Sequence, residues 1–158
     1  MDLVGIAPDP LDAGRVAALV AEPGGAHGAT VLFLGTVRGE SAGRHVLYLD
    51  YEAYEPLALR AFRAILDEVA GRWPAARVAI WHRTGRVVIG ETSLVVAAAS
   101  PHRADAFAVC RYAIERVKQV APVWKREVFE GGEVWIEGAT ADLADEAARE
   151  QAYRRTCA

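Results

Sequence analysis

The chain has little sulfur and almost no lysine. Its 158 residues include two cysteines and one methionine, and its 18 basic residues include only two lysines, Lys118 and Lys125. Cys110 and Cys157 are too few to staple a small domain, so a disulfide framework is excluded and a reducing, cytoplasmic setting is the expectation. The longest apolar runs are strand-sized, far below the roughly 20 residues of a membrane span. The first ten residues, MDLVGIAPDP, carry acid and no basic leader, which predicts no secretory signal. Positive charge is not in excess: a net charge of −3 gives no field for nucleic acid or an anionic membrane, and neither is expected as a partner. His27, His45, His82 and His102 are scattered, and neither cysteine has a Cys or His at ligand spacing, so no metal site and no cofactor are predicted. Nucleophile-elbow, P-loop and dinucleotide-binding motifs are absent as well.

What is present suffices for one buried core. The chain is 53% hydrophobic and carries four Trp, five Tyr and four Phe. No repeat or linker divides it. Asp2–Ala7 reads as a strand and Leu11–Ala21 as a helix, followed by a loop at Pro23-Gly24-Gly25. The continuous run ATVLFLGTV (29–37) predicts a central strand covered on both faces. Residues 39–44 read as a flexible connection. In 45–53, alternation puts Leu47, Leu49 and Tyr51 on one face of a half-buried strand. Residues 55–71 read as a helix, 77–81, 86–89 and 92–99 as strands, and 123–129 and 133–137 as a further pair. Ser100-Pro101 predicts an N-cap and first residue for a helix reaching about Gln119, with Phe107, Cys110, Ile114 and Val117 as its stripe. Residues 138–158 read as a loosely attached tail, helical or partly disordered, after a domain spanning 1–137. Strands follow strands as often as helices do, so the fold class is α+β, a single domain with a mainly antiparallel sheet and packed helices.

The scarcity of lysine is chemically informative. Arginine does not release its proton in a protein, whereas lysine serves as acid, base or amine nucleophile. Around the two lysines, residues 102–126 hold Arg103, Arg111, Arg116, Lys118, Lys125 and Arg126 against Asp105 and Glu115, a local net charge of +4 in an acidic chain. That suits a small anion better than a polymer. His102 and Arg103 fall in the first helical turn, where free N–H groups and the dipole favour a phosphate or carboxylate. Lys118 falls in the last turn, where a cation is favoured whatever its function; Arg111 and Glu115 share its stripe, so a solvated ion-paired face is the structural alternative. A helix of about 18 residues is about 27 Å long. His102 and Lys118 therefore cannot serve one small ligand within one chain unless the ligand is extended or a second subunit contributes, which points to a shared, oligomeric site. Arg38 emerges from the end of a strand into a glycine-containing loop, a common place for ligand contacts.

Five stretches together resemble the large, catalytic subunit family of molybdopterin synthase: FLGTVRGESAGR (33–44), LDYEAYEPLA (49–58), RWPAARVAIWHRTGRVVIGE (72–91), AASPHRADAF (98–107) and VKQVAPVWKREVF (117–129). They span roughly residues 28–137 in the family's order, and SPHR followed by VKQVAPVWKRE in register is the specific part. The resemblance implies an α/β-hammerhead fold and an enzyme that converts cyclic pyranopterin monophosphate to molybdopterin. Two dithiolene sulfurs would come from a small ubiquitin-like carrier whose C-terminal Gly-Gly bears a thiocarboxylate. It implies a central homodimer with a carrier at each end, a heterotetramer with active sites built from both large subunits. By position it assigns Lys118 and Lys125 as catalytic, Lys118 as general acid/base and Lys125 as a holder of anionic charge. Arg38 with its neighbours Val37 and Gly39, together with His102 and Arg103, would bind substrate, and Arg126 and Glu127 would contact substrate or position Lys125. The chain departs from the family at Gly39, where Asn is common.

Two other readings compete. A non-catalytic phosphate- or nucleotide-binding regulatory α+β module explains Arg103 and the local positive charge, but not two retained lysines. A purely structural subunit would not need the set Lys118, Lys125, His102 and Arg103.

Overall fold

The computed structural model describes residues 1–22, 24–136, 138, 139 and 141–157. Pro23 of the expected loop and Glu137, the end of the last expected strand and domain boundary, lie outside the described residues. The architecture is α+β with two sheets, and β1 with β5 is its one parallel pair among the described strands. The first sheet has the order β1-β5-β7-β2, formed by β1 (Val4–Ala7), β5 (Arg77–Arg83), β7 (Thr92–Ser100) and β2 (Ala29–Thr36). The second contains β3 (Glu40–Ser41), β4 (Arg44–Ala53), β8 (Val123–Phe129) and β9 (Gly132–Ile136), with β6 (Gly85–Val88) on β4. β5 and β6 are separated by Thr84 alone, yet lie in different sheets. Gly85 takes φ +75°, a left-handed conformation that glycine adopts without a Cβ penalty.

β7 is apolar along its length because both its faces are covered. On one face, α1 (Ala13–Val20) buries Val16 and Val20 over Ala79, Val95, Ala97 and Ala99. On the other, α2 (Glu55–Arg72) and α3 (Arg103–Val120) bury Phe62, Ile65, Val69, Val109 and Ala113 over Val78, Ile80, Val96 and Ala98. A smaller core of Val37, Val46, Leu49 and Val87 serves the second sheet.

Four local expectations are corrected by long-range geometry. β2 is an edge strand, not a central one: Val31 and Phe33 pack on the main core, while Leu32 and Leu34 are 44% and 45% exposed. A register shift between Val46 and Tyr48 inserts Leu47 as a bulge, so Leu47 is exposed and Val46 joins Leu49 inside. Residues 39–44 form a tight hairpin rather than a loose connection, with Ala42 and Gly43 both at positive φ. Ser100 ends β7, and α3 starts at Arg103 with His102 as N-cap; Phe107 lies off the buried stripe and is 63% exposed.

The expected loose tail is docked. Its helix α4 (Glu146–Arg154) is capped by Asp145, whose carboxylate accepts from the Ala148 N–H, and it buries Ala152. Tyr153 lies 5.9 Å from Trp73, and the Arg72 guanidinium sits 3.5 Å over the Tyr153 ring. Beneath it, fully buried Arg116 donates to both Glu68 oxygens at 2.8 Å, Tyr112 donates to Glu68 at 2.9 Å, and Arg116 also donates to Gln119 at 2.9 Å. This network ties α2 to α3. Glu68→Ala leaves a buried guanidinium without its counter-charge and is expected to lower unfolding free energy by about 3 kcal/mol, read from the denaturant midpoint. Gly5 faces the Trp81 indole, and an added Cβ would overlap the ring. Gly5→Ala is expected to cost about 1–3 kcal/mol in the same measurement.

Candidate functional site

The two sheets meet at the C-terminal end of α3. There Ala121-Pro122 ends the helix, because proline cannot extend it, and starts β8 directly. Lys118 leaves the last turn of α3 and Lys125 the third position of β8, and both line one open cleft of about 740 Å³. Arg38, just beyond β2, lines it too. Phe33, Leu34, Leu94, Val117, Val123 and Ile136 supply apolar wall, and no Asp or Glu is among the described lining residues. Arg38 and Lys118 have no ion-pair partner among the described residues, and Lys125 has Glu127 at 3.7 Å. An arrangement of three cations, apolar wall and no carboxylate suits an anion carrying a flat or apolar body.

Glu127 stands behind Lys125. It is 4% exposed; Oε1 accepts from the Ser41 hydroxyl at 3.2 Å, and Arg44 lies 4.0 Å from Oε2. Strand alternation puts Glu127 and Lys125 on one face of β8 and Arg126 on the other. Arg126 donates to Asp50 at 2.7 Å and to Glu133 at 3.0 Å, away from the cleft. Val37 is buried in the smaller core and presents no side chain to the cleft. Gly39 borders an adjoining hollow of about 720 Å³ that shares Arg38 as its wall. An added Cβ there would meet only Ile89, at 3.7 Å, so the backbone accepts a side chain at this position. His102 and Arg103 are exposed at the opposite end of α3 and do not line the cleft. With 18 residues, α3 holds them more than 20 Å away along the axis.

The local surplus of positive charge is mostly neutralised by residues distant in sequence. Arg116 is paired with Glu68 and Arg126 with Asp50 and Glu133, while Arg111 pairs within the segment with Glu115, already counted against it. Arg155 of the tail also reaches Glu115. Burial would raise the Glu115 carboxyl, but these two arginines outweigh it and hold the carboxyl below its usual range. Lys118 therefore does not belong to the ion-paired face that its neighbours make.

Sequence reasoning missed the floor of the cleft, made by Tyr51, His82 and Ser93. Tyr51 lies directly opposite Lys125 in the β4–β8 ladder, so the two side chains share a face. His82 packs edge-on against Tyr51 with ring centroids 5.1 Å apart. Ser93 donates to the Gly35 carbonyl at 3.1 Å. Burial, with the negative charge of Glu127 adding and a hydrogen bond with Ser93 opposing, raises the Tyr51 phenol above its ordinary value. Burial, opposed by the bond to the Arg83 carbonyl, lowers the His82 imidazole. The available signal was the alternation Val78, Ile80, His82, which places a polar ring where the strand pattern asks for an apolar one. Cys110, on the buried face of α3, does not line the cleft, and burial pushes its thiol up to about 11. Among the described residues no group of three or more His, Cys, Asp or Glu is placed to hold a metal, and no helix is long and apolar enough to cross a membrane.

Comparison with known proteins agrees with this geometry. Residues 6–120 match the family described as MoaE protein. The molybdopterin synthase catalytic subunit of Halalkalibacterium halodurans is 49% identical over 109 residues, covering 69% of this chain and 70% of that protein. The crystal structure of molybdopterin synthase from Staphylococcus aureus superposes with a TM-score of 0.83 at 36% identity, covering 87% of this chain and 98% of that one. At 22% identity, a chain in the complex of subunits 1 and 2 of molybdopterin-converting factor from Helicobacter pylori shares the fold with a TM-score of 0.70, over 86% of this chain and 91% of that one. A family match across most of the chain, close relatives and a common fold agree: the chain belongs to the MoaE family of molybdopterin synthase catalytic subunits.

Proposed function

We propose that this chain is the catalytic subunit of a molybdopterin synthase, an enzyme of molybdenum cofactor biosynthesis that acts as a sulfurtransferase on cyclic pyranopterin monophosphate. The observation that carries the reading is the cleft in which Arg38, Lys118 and Lys125 converge with no carboxylate among the described lining residues. The cations suit the phosphate, and the apolar wall suits the fused ring. The sulfur arrives on a partner, the thiocarboxylated Gly-Gly end of a small carrier subunit, so the chemistry does not need Cys110, which is buried outside the cleft. The carrier's sulfur forms a C–S bond to the pterin side chain while a C–O bond breaks. Lys118 supplies the proton that the departing oxygen takes, and Lys125 holds the anionic charge that develops. Water then cleaves the acyl–sulfur bond, leaving a thiolate on the pterin and a carboxylate on the carrier. Glu127 positions Lys125. Residues 1–137 form the catalytic domain in this reading, and 138–158 an appended segment.

The separation along α3 supports a homodimer in which His102 and Arg103 of one protomer serve the cleft of the other. With a carrier on each protomer, the assembly is a heterotetramer. A regulatory anion-binding module would concentrate its cations at the α3 N-terminus, whereas the cluster lies at the other end.

Lys118→Ala is expected to lower dithiolene formation from thiocarboxylated carrier and cyclic precursor at least 100-fold with unchanged thermal unfolding, and Lys118→Arg is not expected to restore it. A near wild-type rate for Lys118→Ala would remove that role. Mixing Arg103→Ala and Lys118→Ala chains is expected to recover part of the activity each lacks, because mixed dimers regain an intact site. No recovery after subunit exchange would refute the shared site.

A further inference from the structure

The floor of the cleft contains a group whose hydrogen-bonding direction is fixed by its surroundings. His82 is 6% exposed at the end of β5, and its Nδ1 lies 2.7 Å from the Arg83 carbonyl oxygen. A carbonyl only accepts, so Nδ1 carries the hydrogen and Nε2 carries the lone pair. The carbonyl is itself held firmly. The Arg83 side chain donates to Glu91 at 2.8 Å, to the Arg86 carbonyl at 3.2 Å and to the Pro8 carbonyl at 3.3 Å, clamping the β5–β6 corner from three directions. Tyr51 packs against the ring and limits its rotation. Nε2 has no partner among the described residues and is not among the atoms sealed from solvent. The residue therefore offers a pre-oriented acceptor to a cleft whose other charged groups are all donors.

We propose that His82 is a specificity-determining residue of this site, its Nε2 accepting a hydrogen bond from an N–H or O–H of the bound heterocycle while Arg38, Lys118 and Lys125 take the anionic end. This rests on the reading of the cleft as the substrate site. It divides recognition in two: the cations select charge and tolerate any compact anion, whereas the imidazole selects for a donor on the ring portion. A ligand without that donor leaves a nearly buried acceptor unpaired, the kind of loss on which polar discrimination depends.

The protonation state follows from the same surroundings. The ring packs against Tyr51 on β4; the charged groups that line the same cleft are Lys125 on β8, with Glu127 behind it, Lys118 on α3 and Arg38 beyond β2, and its own strand supplies Arg83, paired with Glu91. Burial acts against an imidazolium and outweighs the bond to the Arg83 carbonyl, which favours it. Folded His82 thus takes up its proton only below the ordinary imidazole range, and the acceptor is lost as pH falls through that lowered value.

His82→Asn keeps a side-chain donor for the Arg83 carbonyl but removes Nε2. His82→Gln restores an acceptor near the Nε2 position without a titrating group. His82→Asn is expected to raise KM for the cyclic precursor roughly tenfold with a much smaller change in kcat. His82→Gln is expected to retain most of the affinity and to lose the acid limb of the kcat/KM profile, which lies below the ordinary imidazole range. Lys118→Ala, assayed alongside, separates the two readings. If it is inactive while His82→Asn has the wild-type KM and His82→Gln the wild-type pH profile, the imidazole has no such role and the assignment of the cleft stands. If Lys118→Ala is also unimpaired, the cleft is not the substrate site. Should His82→Asn unfold, the pH profile of His82→Gln decides alone: loss of the acid limb supports the role and a wild-type limb overturns it.

Discussion

The buried pair between Arg116 and Glu68 is the interaction on which the placement of the site depends. Arg116 is fully buried and makes two 2.8 Å hydrogen bonds to one carboxylate, an arrangement that fixes direction as well as distance. It sets the rotation of α3 against α2. Two residues on, Lys118 projects from the same turn, and seven further on Lys125 projects from β8. A guanidinium buried this deeply gives little net stability over an apolar replacement. Its structural effect is on geometry: Gln119, Tyr112 and the docked α4 join the same network, so the end of the helix that carries Lys118 is held from several sides.

The cleft lies where the chain changes sheets. β5 and β6 separate at Thr84-Gly85, β2 gives way to the β3–β4 hairpin beyond Arg38, and α3 passes into β8 at Pro122. The first two crossings each bring one polar side chain to the seam, His82 and Arg38, and the third brings the two lysines. A continuous sheet would have filled the seam with side chains from its own two faces. Here the break leaves a hollow whose rim comes from elements distant in sequence.

Helices and strands were legible in the sequence wherever periodicity was strong. The argument that a continuous apolar run makes a doubly covered strand failed for β2, because a strand's position in a sheet is set by its partners and not by its own composition; the strand covered on both faces is β7. Leu47 was misplaced by a bulge that no local pattern announces. The local charge count around the lysines was legible but misleading, since Glu68, Asp50 and Glu133 neutralise it from elsewhere in the chain. Of the site, Lys118 and Lys125 stood out because lysine is rare here. His82 did not, because a single histidine in a strand reads as an ordinary core residue until the fold shows which cleft it floors.

The contrast between an acidic chain and a cationic cleft bears on how an anion is captured. At physiological ionic strength a charge is screened over about 8 Å, so a small anion in free solution feels little of the net −3. Inside the cleft it meets Arg38, Lys118 and Lys125 across shorter distances and with less intervening water. Attraction is confined to the last few ångströms of approach. Such a protein does not steer ligand from afar; it retains what diffusion delivers, and electrolyte acts on residence more than on encounter.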